Sequence, residues 1–295
     1  MTTSSPMPSA YPARWIADQQ LPPIGFGAML LGMEGRPDEA TAIRTVHAVL
    51  DAGVRLIDTA INYGSSAAEL GYCEALVARA LASWTGDRDD VLVVGKGGNL
   101  RSDTEQFVQD ASPANLRRSC DITLRALGVE AIGLYLLHAI DPKVPLAESM
   151  GALADLQREG KIRHVGISNA GRRQLAEART VVEIAAVENR LSPWSSGSLP
   201  IVSACAEAGT TFLSYSPLGG QGQAAHLDRK PRFAAVAADR GVSPQRVALA
   251  WALAQSPVIL PIPSGRRPET ILDSVAAAQL SLSLAELELL AADVD

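Results

Sequence analysis

Asp58 and Tyr63 stand close together in the stretch GVRLIDTAINYG, residues 53–64. Residues 54–57 form a short apolar run broken only by Arg55, long enough for a buried strand. Asp58 ends that run and Tyr63 lies in the loop after it. In an α/β barrel, chemistry sits where strands end and loops begin, so a carboxylate and a phenol at such an edge can share a pocket. Taken singly, Asp58 also suits a helix N-cap, and Tyr63 a half-buried packing aromatic. Two further strand ends join them. Lys96 follows the apolar run 91–94 in DRDDVLVVGKGG, and His138 follows the run 134–137 in IGLYLLHAID. The other lysines, Lys143, Lys161 and Lys230, lie in polar or turn-like surroundings. A lysine against an apolar strand is costly unless paired, and Asp58 is an available partner. A lone histidine there also fits a hydrogen-bonded core residue. Three strand ends carrying Asp, Lys and His, with a Tyr after the first, are harder to dismiss together than singly.

Positioning such a set takes alternating elements. Residues 24–27 suit a first strand. Met29, Leu30 and Leu31 follow on a rim loop that either tucks onto the core or walls a pocket. Pro37 and Asp38 open a helix with the stripe Ile43, Val46 and Leu50, and Gly53 suits its left-handed cap. A second helix carries Cys73, Leu76, Val77, Ala80 and Leu81 at spacings of three and four. After the Lys96 strand comes a polar loop, 99–111. Ser112 as N-cap and Pro113 as first helical residue then start a helix that Gly128 stops. Its stripe is Leu116, Cys120, Leu124 and Leu127.

Beyond the His138 strand the reading is a helix over 146–159, a strand over 164–168 and an apolar run over 181–187. A helix near 199–207, a strand over 211–215 and a long loop over 216–231 follow. Ser243 and Pro244 cap a helix through 254. The last core strand spans 258–262, with Pro261 and Pro263 where a missing N–H costs least. A helix from Pro268 and a segment over 284–292 finish the chain. Such alternation implies a parallel sheet with crossover helices. Periodicity alone does not separate a closed barrel from an open doubly wound sheet. The lack of a GxGxxG after the first strand weighs against the open dinucleotide fold.

The 295 residues, 47% hydrophobic, suit one large domain; barrels of this kind take roughly 250 residues. The net charge is −6, with 26 basic and 32 acidic residues, and no basic run points to nucleic acid as a partner. No apolar run reaches the roughly 18 residues of a membrane span. The opening MTTSSPMPSAYPAR lacks the pattern of a secretory signal. Its Ser, Thr and Pro content suggests a flexible arm over residues 1–20, ahead of one domain over 21–295. Three cysteines without CxxC spacing argue against a disulfide framework or a metal site. Cys73 and Cys120 fit apolar stripes as small core residues of a cytoplasmic protein.

From about Ile24 onward the chain resembles the aldo-keto reductases. The likeness rests on GVRLIDTAINYG, the Lys96 and His138 strand ends, GISN at 166–169 and YSPLG at 215–219. It implies an α/β fold, a single-domain (β/α)8 TIM barrel. The implied activity is reduction of a small-molecule aldehyde or ketone by hydride transfer from NADPH, with NADH possible. Tyr63 would be the general acid, assisted by Lys96, with Asp58 holding the lysine and His138 donating to the substrate oxygen. A free tyrosine has a pKa near ~10, and a nearby ammonium lowers it. The family's carboxamide contacts fall on Ser168 and Asn169. Its stacking ring falls on Tyr215, and its pyrophosphate loop on Ser216, Leu218 and Gly219, where backbone N–H groups can receive phosphate oxygens. Its 2′-phosphate segment falls on 262–274, with Ser264, Arg266, Arg267, Thr270, Asp273 and Ser274. Met29, Leu30 and Ile61 would line the substrate pocket. The C-terminal part is similar to the branch holding bacterial pyridoxal reductases.

The chain departs from the family in two places. Glu188 stands where Gln is usual among the cofactor contacts; a carboxylate accepts but cannot donate, and it adds negative charge near the ring. Thr270 and Ser274 stand where the family often has Arg and Asn. Arg266 and Arg267 remain, either reaching a phosphate or forming a solvated surface pair. Two other functions share these residues: a Schiff-base lyase acting through Lys96, and a non-catalytic nucleotide-binding subunit of the same fold.

Overall fold

Eight short strands lie side by side in one parallel sheet, in a computed structural model that describes residues 9–102, 104, 106–220 and 222–295. They are β1 (Phe26–Gly27), β2 (Leu56–Asp58), β3 (Leu92–Gly97), β4 (Ile132–Leu137), β5 (Ile162–Ser168), β6 (Ala186–Arg190), β7 (Thr211–Tyr215) and β8 (Ile259–Pro261). Each pairs in parallel with the next in sequence. The last strand returns to the first. Gly25 N donates to Pro261 O and Gly27 N to Pro263 O, both at 3.0 Å, and Ser264 Oγ donates to Gly27 O at 2.7 Å. Both prolines serve this seam with their carbonyls, so their missing N–H groups cost nothing. The chain is thus a (β/α)8 barrel in one domain, and the open sheet is set aside.

Helices α1 (Glu39–Asp51), α2 (Tyr72–Ser83), α3 (Pro113–Leu127), α4 (Leu146–Arg158), α5 (Arg172–Arg179) and α6 (Leu199–Glu207) each link one strand to the next. Helices α7 (Pro231–Arg240) and α8 (Pro244–Gln255) both lie between β7 and β8, and α9 (Pro268–Val275) and α10 (Leu284–Ala291) follow. Their ends follow the sequence signals. Asp38 accepts from Thr41 N at 2.9 Å at the start of α1. Ser112 caps α3, and Gly128 closes it in the left-handed region at φ 68°. The buried stripe of α3 includes Leu116, Cys120 and Leu127, so Cys120 is a core residue, as is Cys73 on α2.

Side chains alternate along a strand, and the inner faces here supply Leu56, Leu92, Val94, Leu134, Leu136, Ala186, Leu213 and Leu260 as one apolar cluster. Gly166 is the small member of that layer. A Cβ on it would stand 2.2 Å from Leu136 Cδ2 and 2.7 Å from Ala186 O.

Several expectations change. Residues 9–20 are part of the fold rather than a flexible arm; the first eight lie outside the described residues. Arg14–Ile16 and Gln19–Leu21 form an antiparallel hairpin. Its Ile16 and Leu21 join the inner apolar cluster, and Arg14 Nε donates to Ile259 O at 2.7 Å. The hairpin thereby plugs the barrel end opposite the strand C-termini. The polar loop over 99–111 contains a second hairpin, Asn99–Arg101 with Phe107–Gln109. Helices α5 and α7 add to the sequence reading. The run 181–187 yields a strand only from Ala186, its earlier residues packing on the core as a turn. No helix among the described residues is long and apolar enough to cross a membrane.

One carboxyl that the sequence did not single out lies between α2 and α3. Glu74 is wholly buried. Its Oε1 accepts from Thr123 Oγ1 at 3.2 Å and its Oε2 has no hydrogen-bond partner among the described residues. Burial pushes its pKa from the ordinary 4.5 up to about 7. Below the lower value both folded and unfolded chains hold the proton. Between the two, only the folded chain holds it, so stability falls as pH rises from 4.5 to about 7 and stays lower above that. Glu74→Gln is expected to remove this slope, a difference on the order of 3 kcal/mol in unfolding free energy. Urea melts at pH 5 and pH 8 check it; equal slopes in the two proteins would refute it.

Candidate active site

Asp58, Lys96, His138, Ser168, Glu188 and Tyr215 each come two residues after an inward-facing small or aliphatic residue, namely Leu56, Val94, Leu136, Gly166, Ala186 and Leu213. The strand period therefore turns all six toward the barrel axis, one layer above the apolar plug. This is the C-terminal face of the barrel, where the loops can reach them.

Lys96 Nζ donates to both oxygens of Asp58 at 2.5 Å and to Thr59 O at 3.2 Å. Glu188 Oε2 lies 3.3 Å from the same nitrogen, an ion-pair contact rather than a directed hydrogen bond. Lys96 is fully buried, and Asp58 and Glu188 nearly so. Tyr63 swings in from the loop after β2, its ring centroid 5.3 Å from Nζ. It meets the His138 ring edge-on, with centroids 6.0 Å apart and planes at 82°. His138 N donates to Gly97 O at 2.8 Å, while its ring Nδ1 has no hydrogen-bond partner among the described residues. The four residues proposed for proton transfer are thus brought into one cluster.

Burial dominates the electrostatics. It pushes Tyr63 above the ordinary phenol range, and the Lys96 ammonium only partly opposes it. The lowered tyrosine pKa expected from the lysine is therefore reversed by burial. Burial alone would push Lys96 down, but Asp58, then Glu188 and Tyr63, outweigh it and hold the ammonium above the ordinary lysine range. His138 is pushed down to about 3 by burial and by Lys96, so its ring is neutral at any working pH. Burial raises Asp58 against the pull of Lys96. Burial and then the Asp58 charge raise Glu188 well above the usual carboxylate range.

The residues expected at a cofactor divide into two groups. Ser168, Asn169 and Tyr215 are together. Asn169 Nδ2 donates to His138 O at 2.9 Å and to Ser168 Oγ at 3.1 Å, and Tyr215 OH donates to Asn169 Oδ1 at 2.7 Å. Tyr215 and Asn169 line a cavity of about 400 Å³ with Arg172, Asn189 and Arg190. Ser216, Gly219 and Gly220 all have positive φ, at 47°, 91° and 97°. At Gly219 the requirement is doubled, since a Cβ there would lie 2.7 Å from Trp194 and Gln223. Leu218 is half-buried on the core. Glu188 is turned inward onto Lys96 instead of lining the rim.

Past β8, Ser264 is tied to the seam. Arg266 is half-buried near Glu34 O, and Arg267 and Thr270 are exposed. Asp273 and Ser274 are not free for a phosphate. Asp273 accepts from Ser243 Oγ and from Arg246 Nη2 at 2.6 Å. Ser274 is buried and bonded to Thr270 O at 3.4 Å. Met29 and Leu30 sit half-buried on a one-turn helix, Met29–Gly32, at the rim. Ile61 is fully buried, so it does not line an open pocket.

Two neighbours of the site went unread in the sequence. Arg190 lies over Tyr215 at 5.9 Å, and its guanidinium comes within 4 Å of where a Cβ on Gly220 would stand. Its place at the end of β6, just after Glu188, was the available signal. Arg101 on the second hairpin contacts Met33 Sδ at 3.4 Å and the Phe107 ring at 4.8 Å. Only the pairing of that hairpin brings these three together.

The family described as Aldo/keto reductase matches residues 23–292. Pyridoxine 4-dehydrogenase of Escherichia coli is 32% identical over 270 residues, covering 88% of this chain and 90% of its own length. An uncharacterized oxidoreductase of Schizosaccharomyces pombe is 31% identical over 274 residues, covering 91% and 85%. The solved glycerol dehydrogenase from Gluconobacter oxydans is similar with a TM-score of 0.83 at 26% identity, over 96% of this chain and 95% of that one. An aldo-keto reductase from Klebsiella pneumoniae, solved with NADP and acetate, is similar with a TM-score of 0.79 at 26% identity, over 95% and 94%.

Proposed function

Because this chain belongs to the aldo/keto reductase family, we propose that it reduces a small aldehyde or ketone to the alcohol with NADPH, Tyr63 supplying the proton. The chain is a nicotinamide-dependent oxidoreductase of that family. The observation that carries the finer reading is the convergence of Tyr63, His138 and the Lys96–Asp58 pair at one end of the barrel. A nicotinamide cofactor suits the residues beside them. Tyr215 offers a flat ring, Asn169 an amide, and the positive-φ turn at Ser216, Gly219 and Gly220 a cradle of N–H groups with Arg190 alongside.

The cofactor supplies a hydride to the carbonyl carbon. The task of the side chains is to receive the oxygen and give it a proton. Tyr63 keeps its proton through the working pH range and so is present as the acid. When it gives that proton up, the phenolate forms beside an ammonium that never leaves. Asp58 holds the ammonium in place. His138, neutral, can donate one N–H to the same oxygen without adding a second positive charge.

The Schiff-base reading fits less well. A nucleophilic lysine must be neutral and reachable, and Lys96 is fully buried, ionised and held by Asp58. The clustered quartet weighs against a non-catalytic subunit. Loss of NADPH absorbance with a panel of aromatic and aliphatic aldehydes, pyridoxal among them, tests the proposal. Binding of NADPH with no turnover on any member would leave the non-catalytic reading standing.

For the 2′-phosphate, Arg266 and Arg267 remain the available cations, because Asp273 and Ser274 are occupied. An arginine fork can give a phosphate two parallel hydrogen bonds. Replacing both with Ala is expected to raise the KM for NADPH several-fold and leave that for NADH nearly unchanged. The preference is expected to weaken with salt, since exposed charges are screened over about 10 Å at 0.1 M. Equal effects on the two cofactors would make the arginines an ordinary solvated pair.

A further inference from the structure

Glu188 is as deeply buried as Asp58, each 2% exposed. On β6 it is in register with Ser168 of β5 and Leu213 of β7. Its Oε2 lies 3.3 Å from Lys96 Nζ, the same nitrogen that donates to both oxygens of Asp58. Two carboxyls therefore share one ammonium in a site that excludes water. Two like charges in contact there cannot both persist, and one carboxyl keeps a proton. A carboxyl that keeps its proton can in turn donate to its ionised neighbour. Both Asp58 oxygens accept from Nζ at 2.5 Å, so the negative charge stays on Asp58 and the proton lies on Glu188.

We propose that Glu188 is a positioning residue of the proton-transfer site, a neutral acid that shares its proton with Asp58 and keeps the centre at one positive and one negative charge. The inference rests on the reading of Tyr63 as the acid. A glutamine at this place would donate to Asp58 in the same way but could never ionise. Glu188 makes the same bond with a limit at alkaline pH.

Among the described residues, Lys96 on β3 is the cation paired with Glu188. Facing the same space are Asp58 from β2, Tyr63 from the loop after it, neutral His138 after β4, uncharged Ser168 at the end of β5 with Asn169 just after it, and Tyr215 from β7. Arg190, on the same strand as Glu188, is exposed and turned to the Tyr215 ring. Loss of the Glu188 proton would set a second negative charge against Lys96. That charge opposes release of the Tyr63 proton, so the phenol becomes a weaker acid and reduction slows.

The test compares Glu188 with Glu188→Gln, both in a Glu74→Gln background that removes the buried carboxyl between α2 and α3. Infrared spectra of the ligand-free protein at neutral pH are expected to show the carbonyl stretch of a protonated carboxyl. It should be absent in Glu188→Gln, and should vanish at alkaline pH when Glu188 is present. In turnover, the alkaline fall of kcat is expected to move up by at least one pH unit in Glu188→Gln. That raises the ratio of alkaline to neutral kcat about tenfold. Identical spectra overturn the proposal. A band that is lost while the alkaline limb stays put overturns the positioning role. If no carbonyl is reduced at all, the proposed function fails by itself, and the infrared comparison still decides whether Glu188 carries the proton.

Discussion

Tyr63→Phe abolishes carbonyl reduction and leaves NADPH binding intact: that is the expected result for a barrel in which the hydroxyl is the sole proton donor. The ring packs among Ala28, Met33 and Cys73 in the cluster under the rim, and phenylalanine keeps that packing. What is lost is the hydroxyl beside Lys96. Removal of a general acid costs roughly 10²–10⁴-fold. His138 is a poor substitute. It is neutral, with its pKa pushed down to about 3, and donating a proton outright would leave an anionic ring. Steady-state kcat with a reducible aldehyde, beside NADPH titration by fluorescence, separates the two effects. A variant within a few-fold of the parent takes Tyr63 out of the mechanism.

The quartet was legible because strand ends announce themselves. Each of Asp58, Lys96 and His138 follows an apolar run, and a charged or polar residue at that point has few structural reasons to be there. Helix ends were legible for the same kind of reason. Ser112–Pro113 and Gly128 bracket α3 because an N-cap oxygen, a proline lacking its N–H and a left-handed glycine each answer a fixed need of a helix terminus.

Other features depend on contacts that no local pattern carries. The hairpin over 14–21 has three-residue strands, too short to show alternation, and it is held by the barrel end it plugs. The Arg101 hairpin sits in a polar stretch whose pairing follows from its ends, fixed by β3 and α3. Glu188 was legible as a departure from the family but not as a partner of Lys96. The run ahead of it, 181–187, is apolar but for Glu183 and shows no alternation that would give an inward or outward sense. Only the β6 register with β5 and β7 turns the carboxyl inward. Glu74 was hidden among helix residues for want of any sign that its face meets α3.

Lys96→Met is expected to be the most damaging single change to the fold, and Asp58→Asn is expected to relieve it. Removing one partner of a buried ion pair costs roughly 3–5 kcal/mol, because the other charge is left uncompensated. Here two carboxyls lose one ammonium; Glu188 already holds a proton, and Asp58 must take one up to remain buried. Carboxyls whose folded pKa is raised lose stability as pH climbs past their unfolded values. The deficit of Lys96→Met should therefore be larger at pH 8 than at pH 5. Asp58→Asn alone is milder, since Glu188 can take over as the counter-ion of Lys96 from its place 3.3 Å away. In the double variant neither buried charge of the pair is left behind, and it should be more stable than Lys96→Met alone. The kinetic penalties should likewise fail to multiply, as groups acting as one unit do. Independent sites add within about 0.5 kcal/mol. Stability changes that add this closely across the cycle would mean that Lys96 and Asp58 touch in the fold without depending on each other.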